Sequence, residues 1–251
     1  MSHQTNPRSR IALRLAIVAI CVFGGCDPAS SHSFSPARLI ALEGQEDLQC
    51  PKTNQMSPVL FCQAIVNRSG KVQGDTATFC FGNLGYDENR ARFLRSKVVR
   101  SNFVPAKVDG EEVRVYVSFR VFFQEKEDSC NVTVLPNLGT QQDEFGLQYF
   151  SPQEIYKDGG WLGRIERRNR SRGKDIWSTD ARHRGVAFSM SVAVDDLGAA
   201  SDGRVEGNNF APQNSVELAV RSLEMSHFIP AIVDGKPHRA RYFEYLYIRR
   251  R

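Results

Sequence analysis

Ser101–Gly110 reads SNFVPAKVDG, and Ser226–Gly235 reads SHFIPAIVDG. Seven of the ten paired positions are identical: Ser, Phe, Pro, Ala, Val, Asp and Gly. Each copy follows a stretch with helical spacing and precedes one with strand alternation, so the repeated unit is supersecondary. Two copies are too few for a solenoid. They predict two small related domains in a chain of 251 residues.

Outward from the first copy, Ala91, Leu94 and Val98 are spaced as one helical stripe, with Arg90, Arg92, Arg95 and Lys97 around them. Asp87 is placed to cap this helix and Pro105 to end it, because proline has no amide donor. Asp109-Gly110 is a turn pair. Val113, Val115, Val117, Phe119, Val121 and Phe123 then alternate with Arg114, Tyr116, Ser118, Arg120 and Phe122, the clearest strand in the chain. Upstream, Val59–Val66 and Val72–Phe81 flank turn chemistry at Asn67-Arg68-Ser69-Gly70-Lys71 and predict a hairpin.

The second copy repeats this order. Val186–Val194 alternates as a strand, Asp195–Gly203 reads as a loop, and Arg204-Val205 opens a short return strand. Asn214-Ser215-Val216-Glu217 has the form of a capping box. Val216, Ala219 and Leu223 stand 125 positions after Ala91, Leu94 and Val98, the same offset as the motif. His238–Ile248 supplies a last strand rich in Tyr and Phe. The predicted class is α+β: domains over 48–130 and 185–251, each a β-hairpin, one helix and a further strand in an antiparallel sheet with the helix on one face. The second domain is also compatible with a start near 145. Residues 131–184 form a connecting segment that carries the basic run RIERRNRSRGK at Arg164–Lys174.

The N-terminus bears on compartment. Arg8, Arg10 and Arg14 precede a short apolar run, Leu15–Phe23, and small residues lead to Cys26. The run falls short of the roughly 20 residues a membrane span needs, so residues 1–25 read as a signal peptide. Phe23-Gly24-Gly25-Cys26 resembles the lipobox of bacterial lipoproteins, with Phe23 in place of the usual Leu. Cys26 is then the lipidated residue of a membrane-anchored protein, or else a spare thiol after an ordinary signal. Residues 26–47, rich in Ser and Pro at their start, read as a flexible tether. Removing residues 1–25 takes three arginines and no acid, so the formal charge falls from +5 to +2. After export and loss of Cys21, Cys50, Cys62, Cys80 and Cys130 form an even set for two disulfides.

Catalytic patterns are missing from the sequence. His32, His183, His227 and His238 have no partners at metal-ligand spacing, and there is no nucleophile elbow, phosphate loop or His-Glu-x-x-His. The expectation is a protein that is not an enzyme and holds no cofactor or metal. Asp109 and Asp234 read as turn residues that bond nearby amides. The Arg164–Lys174 run lacks interleaved aromatics and lies in an exported chain, which argues against nucleic acid. It is a solvated loop or a contact for anionic lipid headgroups or an acidic envelope partner.

A hairpin, a helix and a Phe-x-Pro-Ala-x-x-x-Asp-Gly turn into a final strand resemble the C-terminal domain of TonB proteins, periplasmic domains of bacterial energy transducers and their relatives. The likeness rests on Phe103, Pro105, Ala106, Asp109 and Gly110, and on Phe228, Pro230, Ala231, Asp234, Gly235, Lys236 and Pro237. Val66–Val72 is similar to that family's strand-turn-strand, and Tyr149, Pro152 and Gly160 to its Tyr-Pro opening. The uncleaved membrane helix and Pro-rich spacer of a transducer have no counterpart. The resemblance implies a periplasmic location at the cell envelope and strand addition of a partner protein to a sheet edge, at Val113–Phe123 or Tyr242–Ile248. Its strand order gathers the cysteines at one end of a sheet and implies Cys62–Cys80 and Cys50–Cys130. A tight turn at Ser69-Gly70 would set Cys62 opposite Ala77, so a bulge near Gly74 or a longer turn must absorb the offset. A part in energy-coupled transport, or a structural envelope lipoprotein with no specific ligand, stands as the alternative. The anchor has a direct test. Cys26→Ser should release the chain from the membrane fraction or leave an unprocessed precursor, whereas unchanged processing and association would exclude a lipid anchor.

Overall fold

A computed structural model describes residues 32–48, 50, 59–74, 78–82, 88–126, 129–170, 186–209 and 212–248. In chain order its elements are β1 (Phe34–Ser35), β2 (Arg38–Ala41), β3 (Val59–Val66), β4 (Thr78–Gly82), α1 (Glu88–Arg100), β5 (Asn102–Val104), β6 (Ala106–Val108), β7 (Glu111–Val113) and β8 (Val115–Lys126). Then come β9 (Ser129–Leu135), α2 (Gln142–Phe145), β10 (Gln153–Ile155), α3 (Gly160–Arg170), β11 (Val186–Val194) and β12 (Ala200–Asn209). The chain closes with α4 (Gln213–Glu224), β13 (Phe228–Ile229), β14 (Ala231–Val233), β15 (Lys236–His238) and β16 (Ala240–Ile248). The fold is α+β with antiparallel sheets. The largest sheet contains β4-β3-β8, and β10 and β9 share the far side of β8 with β13 beyond β10; a second sheet is β12-β11-β16, and smaller ones are β1-β6-β7, β14-β15 and β2-β5.

The duplication is carried through the elements. β6, β7 and β8 begin 125 residues before β14, β15 and β16, as the matching element starts show. In each copy the helix lays its apolar stripe on the sheet. Ala91, Leu94 and Val98 are buried in one core and Val216, Ala219 and Leu223 in the other. Each fully buried Leu or Val contributes about 1.5–3 kcal/mol. Phe103 and Phe228 are also buried, at 5% and 1% exposure.

The corner that positions each Phe is made of backbone. The Phe103 N–H donates to the carbonyl of Gly70 at 2.9 Å, and the Phe228 N–H to that of Gly198 at 3.0 Å. Both glycines sit in hairpin turns, held by an Asx motif. Asn67 Oδ1 accepts from the amides of Ser69 and Lys71, and Asp195 Oδ1 from those of Leu197 and Ala199. Gly70 and Gly198 have φ of 74° and 83°. A Cβ on either would lie 2.0 or 2.1 Å from the Phe carbonyl oxygen, so only glycine lets the hairpin reach the motif. Asp109-Gly110 and Asp234-Gly235 all have positive φ, which is the two-residue I′ hairpin geometry.

A second repeat surrounds the first. Phe34-Ser35-Pro36 and Phe150-Ser151-Pro152 are the same tripeptide. Each precedes a strand that pairs with the Phe strand of its copy, β2 with β5 and β10 with β13. The tether expected over 26–47 is therefore corrected from Phe34 onward, where backbone pairing fixes short strands that composition does not reveal. Lys97, placed by its spacing beside the apolar stripe of α1, is buried and paired with Asp47 of this same stretch. Residues 131–170 are likewise more than a connector: β9 extends the first sheet, β10 links β8 to β13, and α3 packs on α4.

Cys62 pairs with Cys80, and Cys50 with Cys130. Cys62 lies directly opposite Cys80. The offset is absorbed between two registers: Val72 lies opposite Val66, whereas Thr78 lies opposite Ala64, so four more residues separate the pair on the returning chain than on β3. Other boundaries differ as well. Pro105 does not end α1, which stops at Arg100, where the Ser101 hydroxyl donates to the Lys97 carbonyl at 2.9 Å. The strand expected from Val113 is interrupted at Arg114, because the I′ turn folds Glu111–Val113 back on Ala106–Val108. The capping box is also corrected: Pro212 is the N-cap, and no side chain caps α4. Asp195–Gly203 is a loop only to Ala199, since β12 begins at Ala200. Asp87 lies outside the described residues.

The glycine corner can be tested against an internal control. Gly70→Ala and Gly198→Ala should each destabilise by about 3 kcal/mol or more, from positive-φ strain of about 1–2 kcal/mol plus a backbone clash. Gly110→Ala and Gly235→Ala, which meet nothing within 4 Å, should show the strain alone. Equal losses in thermal melts would refute the corner.

Candidate functional site

Two features of the second copy have the makings of a site: a bare sheet edge and a buried acid cluster. On one side of β8, the third strand of the first copy, lies β3, and on the other β10 pairs with Val115–Tyr116 and β9 with Arg120–Lys126. Of the candidate edge Val113–Phe123, only Val117–Phe119 is left without a strand on that side among the described residues, and these three residues line a cavity. β16 pairs with β11 along Val186–Val194, and among the described residues no strand lies on its other side. The Arg241 N–H points outward, donating to Gln141 Oε1 at 2.8 Å. By strand alternation the peptide groups of Phe243, Tyr245 and Tyr247 also face out.

The side chains along this edge give it character. The Arg241 guanidinium donates to Ser191 Oγ from Nη2 at 2.7 Å and to Asp202 Oδ2 from Nη1 at 3.0 Å. Hydrogen bonds from Arg204, then Arg241, hold the Asp202 carboxyl below its usual range. Phe243 and Tyr245 are half-buried, and Tyr245 meets Phe81 with ring centroids 5.3 Å apart. One end of the edge is charged and the other aromatic.

A cavity of about 330 Å³ lies between β2 and the middle of β8, walled by Leu39, Leu42, Phe103, Val117, Phe119 and Phe150. The Gln153 carboxamide closes one end by pairing with both backbone groups of Ala37, at 2.8 and 2.9 Å. Its lining also carries Arg38, Gln45, Ser118 and Gln148 and contains no acid, His or Cys.

The acid cluster is assembled from β8, β10, α3, β16 and the motif serine. Glu154 and Glu244 are 1% and 3% exposed. Glu154 Oε1 accepts from the Ser226 hydroxyl at 2.6 Å and from the Trp161 amide at the start of α3 at 2.9 Å. Arg164 Nη2 stands 3.5 Å from the same oxygen. Tyr242 donates to Glu244 Oε2 at 2.5 Å. Burial pushes the Glu154 carboxyl up, while Ser226, Trp161 and Arg164 pull it back. Burial also raises the Glu244 carboxyl to about 8, with the Glu154 charge adding to the rise. Glu244 is thus a neutral acid at pH 7.

Comparison with protein-family models, curated proteins and solved structures returns no match. The residues singled out in the sequence fall mainly in structural places. Phe103, Pro105, Ala106, Asp109 and Gly110 form one corner, and Phe228, Pro230, Ala231, Asp234 and Gly235 its counterpart. Asp109 Oδ1 accepts from the Ser33 amide at 2.8 Å. Within the basic run, Arg164 enters the acid cluster and its neighbour Ile165 is buried in the core of the second copy. The run beyond Arg170 lies outside the described residues, as does Cys26. No described helix is long and apolar enough to cross a membrane. Glu154, Trp161, Ser226 and Glu244 escaped the sequence reading. Two signals pointed to them: Glu244 shares the inward parity of Tyr242, and Ser226 is an identical position of the repeat.

The protonation of Glu244 has a thermodynamic consequence. Its carboxyl rises from 4.5 to about 8 on folding, so between these values the native state holds a proton that the unfolded chain has released. The contribution of Glu244 to stability is then fully present below about pH 4.5, is lost as pH rises through this window and levels off above about 8. Denaturant titrations should show that decline in wild type. Glu244→Gln should flatten it and gain a few kcal/mol relative to wild type at alkaline pH; equal slopes would contradict the assignment.

Proposed function

We propose that this chain is an envelope lipoprotein, anchored through Cys26, whose two TonB C-terminal-like units bind a partner protein by strand addition. The partner strand lies along the outer edge of β16. The observation that carries this reading is the difference between the copies: β9 and β10 pair with all of the outer edge of β8 except Val117–Phe119, whereas no strand lies along the equivalent edge of β16 among the described residues. Backbone hydrogen bonds would supply affinity, and the Arg241 and Tyr245 ends of the edge would select side chains. The basic run at Arg164–Lys174 is the element that would contact anionic lipid headgroups or an acidic envelope partner.

The edge can be disabled without disturbing the sheet. Phe243→Pro removes an outward N–H and leaves the pairing with β11, because proline is tolerated on an edge strand when its nitrogen faces away from the ladder. With a photo-crosslinker at Tyr247, wild type should yield a discrete adduct in intact cells, and Phe243→Pro should lose it at unchanged melting temperature. An adduct that persists in Phe243→Pro would refute binding along this edge.

A further inference from the structure

We propose that the gap in the outer edge of β8 binds the C-terminal residue of a partner polypeptide, one with a large apolar side chain and a free carboxylate. The site is separate from the β16 edge and does not depend on strand addition there.

The gap exposes the peptide groups of a single residue. The Tyr156 N–H donates to the Arg114 carbonyl at 2.7 Å, so the even-numbered residues of β8 turn their peptide groups outward. Tyr116 then faces Glu154 of β10, and Arg120 faces Leu135 of β9. Ser118 lies between them with no strand opposite it among the described residues. Its hydroxyl accepts from Gln63 Nε2 at 3.2 Å, while its N–H and C=O face the gap. The flanking segments do not fill the position. Continuing β10 in register would bring Pro152 opposite Ser118, and proline has no N–H to offer the Ser118 carbonyl. β9 gives way to Pro136, and residues 136–152 form an excursion tied across its base by the Ser151 N–H to the Pro136 carbonyl at 3.3 Å. Asn137 holds the excursion folded, donating from Nδ2 to the Leu147 and Tyr149 carbonyls at 2.9 and 2.8 Å.

Three properties of the opening select its occupant. It is short: about 14 Å of β8 separates Tyr116 from Arg120, and β10 and β9 close the two ends of that line. An extended chain cannot run through it, whereas a chain end can enter. It is apolar within, where Leu39, Phe103, Val117 and Phe119 border the cavity of about 330 Å³, room for one large side chain. Ile40, a lining residue that is 64% exposed, continues the apolar surface outward. It is also cationic, because Arg38 is the single charged residue of the lining. A C-terminal residue meets all three conditions. Its N–H donates to the Ser118 carbonyl, its carboxylate accepts from the Ser118 N–H and from Arg38, and its side chain occupies the cavity. An N-terminal residue would bring an ammonium towards Arg38 instead.

The test uses the full chain and short fluorescein-labelled Gly-Ser peptides that end in Leu, Phe or Ala, with binding read by anisotropy. The Leu or Phe free acid should bind about tenfold more tightly than its C-terminal amide, which cannot form the charge-assisted bond. It should also bind about tenfold more tightly than the peptide ending in Ala. Arg38→Gln should remove most of the preference for acid over amide. Ala41→Phe, at an exposed position of the lining, should abolish binding at unchanged melting temperature. The bound free acid should slow hydrogen exchange of the Ser118 amide. Phe243→Pro should leave every affinity unchanged, which separates this site from the β16 edge. Absence of saturable binding, equal affinity for acid and amide, undiminished binding by Ala41→Phe, or loss of binding in Phe243→Pro would each overturn the proposal.

Discussion

One backbone hydrogen bond, made twice, organises this molecule: the amide of the motif phenylalanine to the carbonyl of a hairpin glycine. The bond joins elements that are distant in sequence, the first hairpin of each copy and the segment that follows its helix. It fixes the Phe strand at the height of the hairpin turn, which drives the aromatic ring into the core between helix and sheet. The I′ turn then reverses the chain so that the third strand meets the first. Without the glycine the hairpin cannot approach, and the Asx motif that shapes its turn has nothing to dock against.

On this common frame the two copies diverge at the periphery. The motif serine shows the divergence at one position. Ser101 receives the Glu43 amide at 2.9 Å and so ties the N-terminal strap to α1. Ser226 donates to the Glu154 carboxylate and so joins an acid cluster. The third strands diverge in the same sense, with β8 enclosed in a larger sheet and β16 left with an open side among the described residues. A polar cluster inside the second copy is costly unless every group is satisfied. Holding Glu244 neutral beside the Tyr242 hydroxyl spares a second buried charge next to Glu154.

The parts of the fold legible in the sequence were those written in periodicity. The stripes Ala91-Leu94-Val98 and Val216-Ala219-Leu223, the alternation from Val115 to Phe123 and the Phe-x-Pro-Ala corners all depend on side-chain pattern. The illegible parts depend on backbone pairing or on single polar contacts. β1, β2 and β10 are two to four residues long, too short for alternation to register, and are recruited by the motif strands they pair with. Lys97 resembles any surface lysine until Asp47 arrives from the strap. Glu244 sits at an inward position of an aromatic strand, where an acid is unexpected unless Glu154 on β10, 90 residues earlier, is known to approach it.

The most direct measurement of the central interaction is hydrogen exchange at two amides. The Phe103 and Phe228 N–H groups donate to Gly70 and Gly198 across each copy, so both should exchange only through large-scale opening, with protection comparable to that of the central strands β3 and β11. Exchange of either amide at the rate of an exposed loop, while β3 and β11 remain protected, would contradict the account.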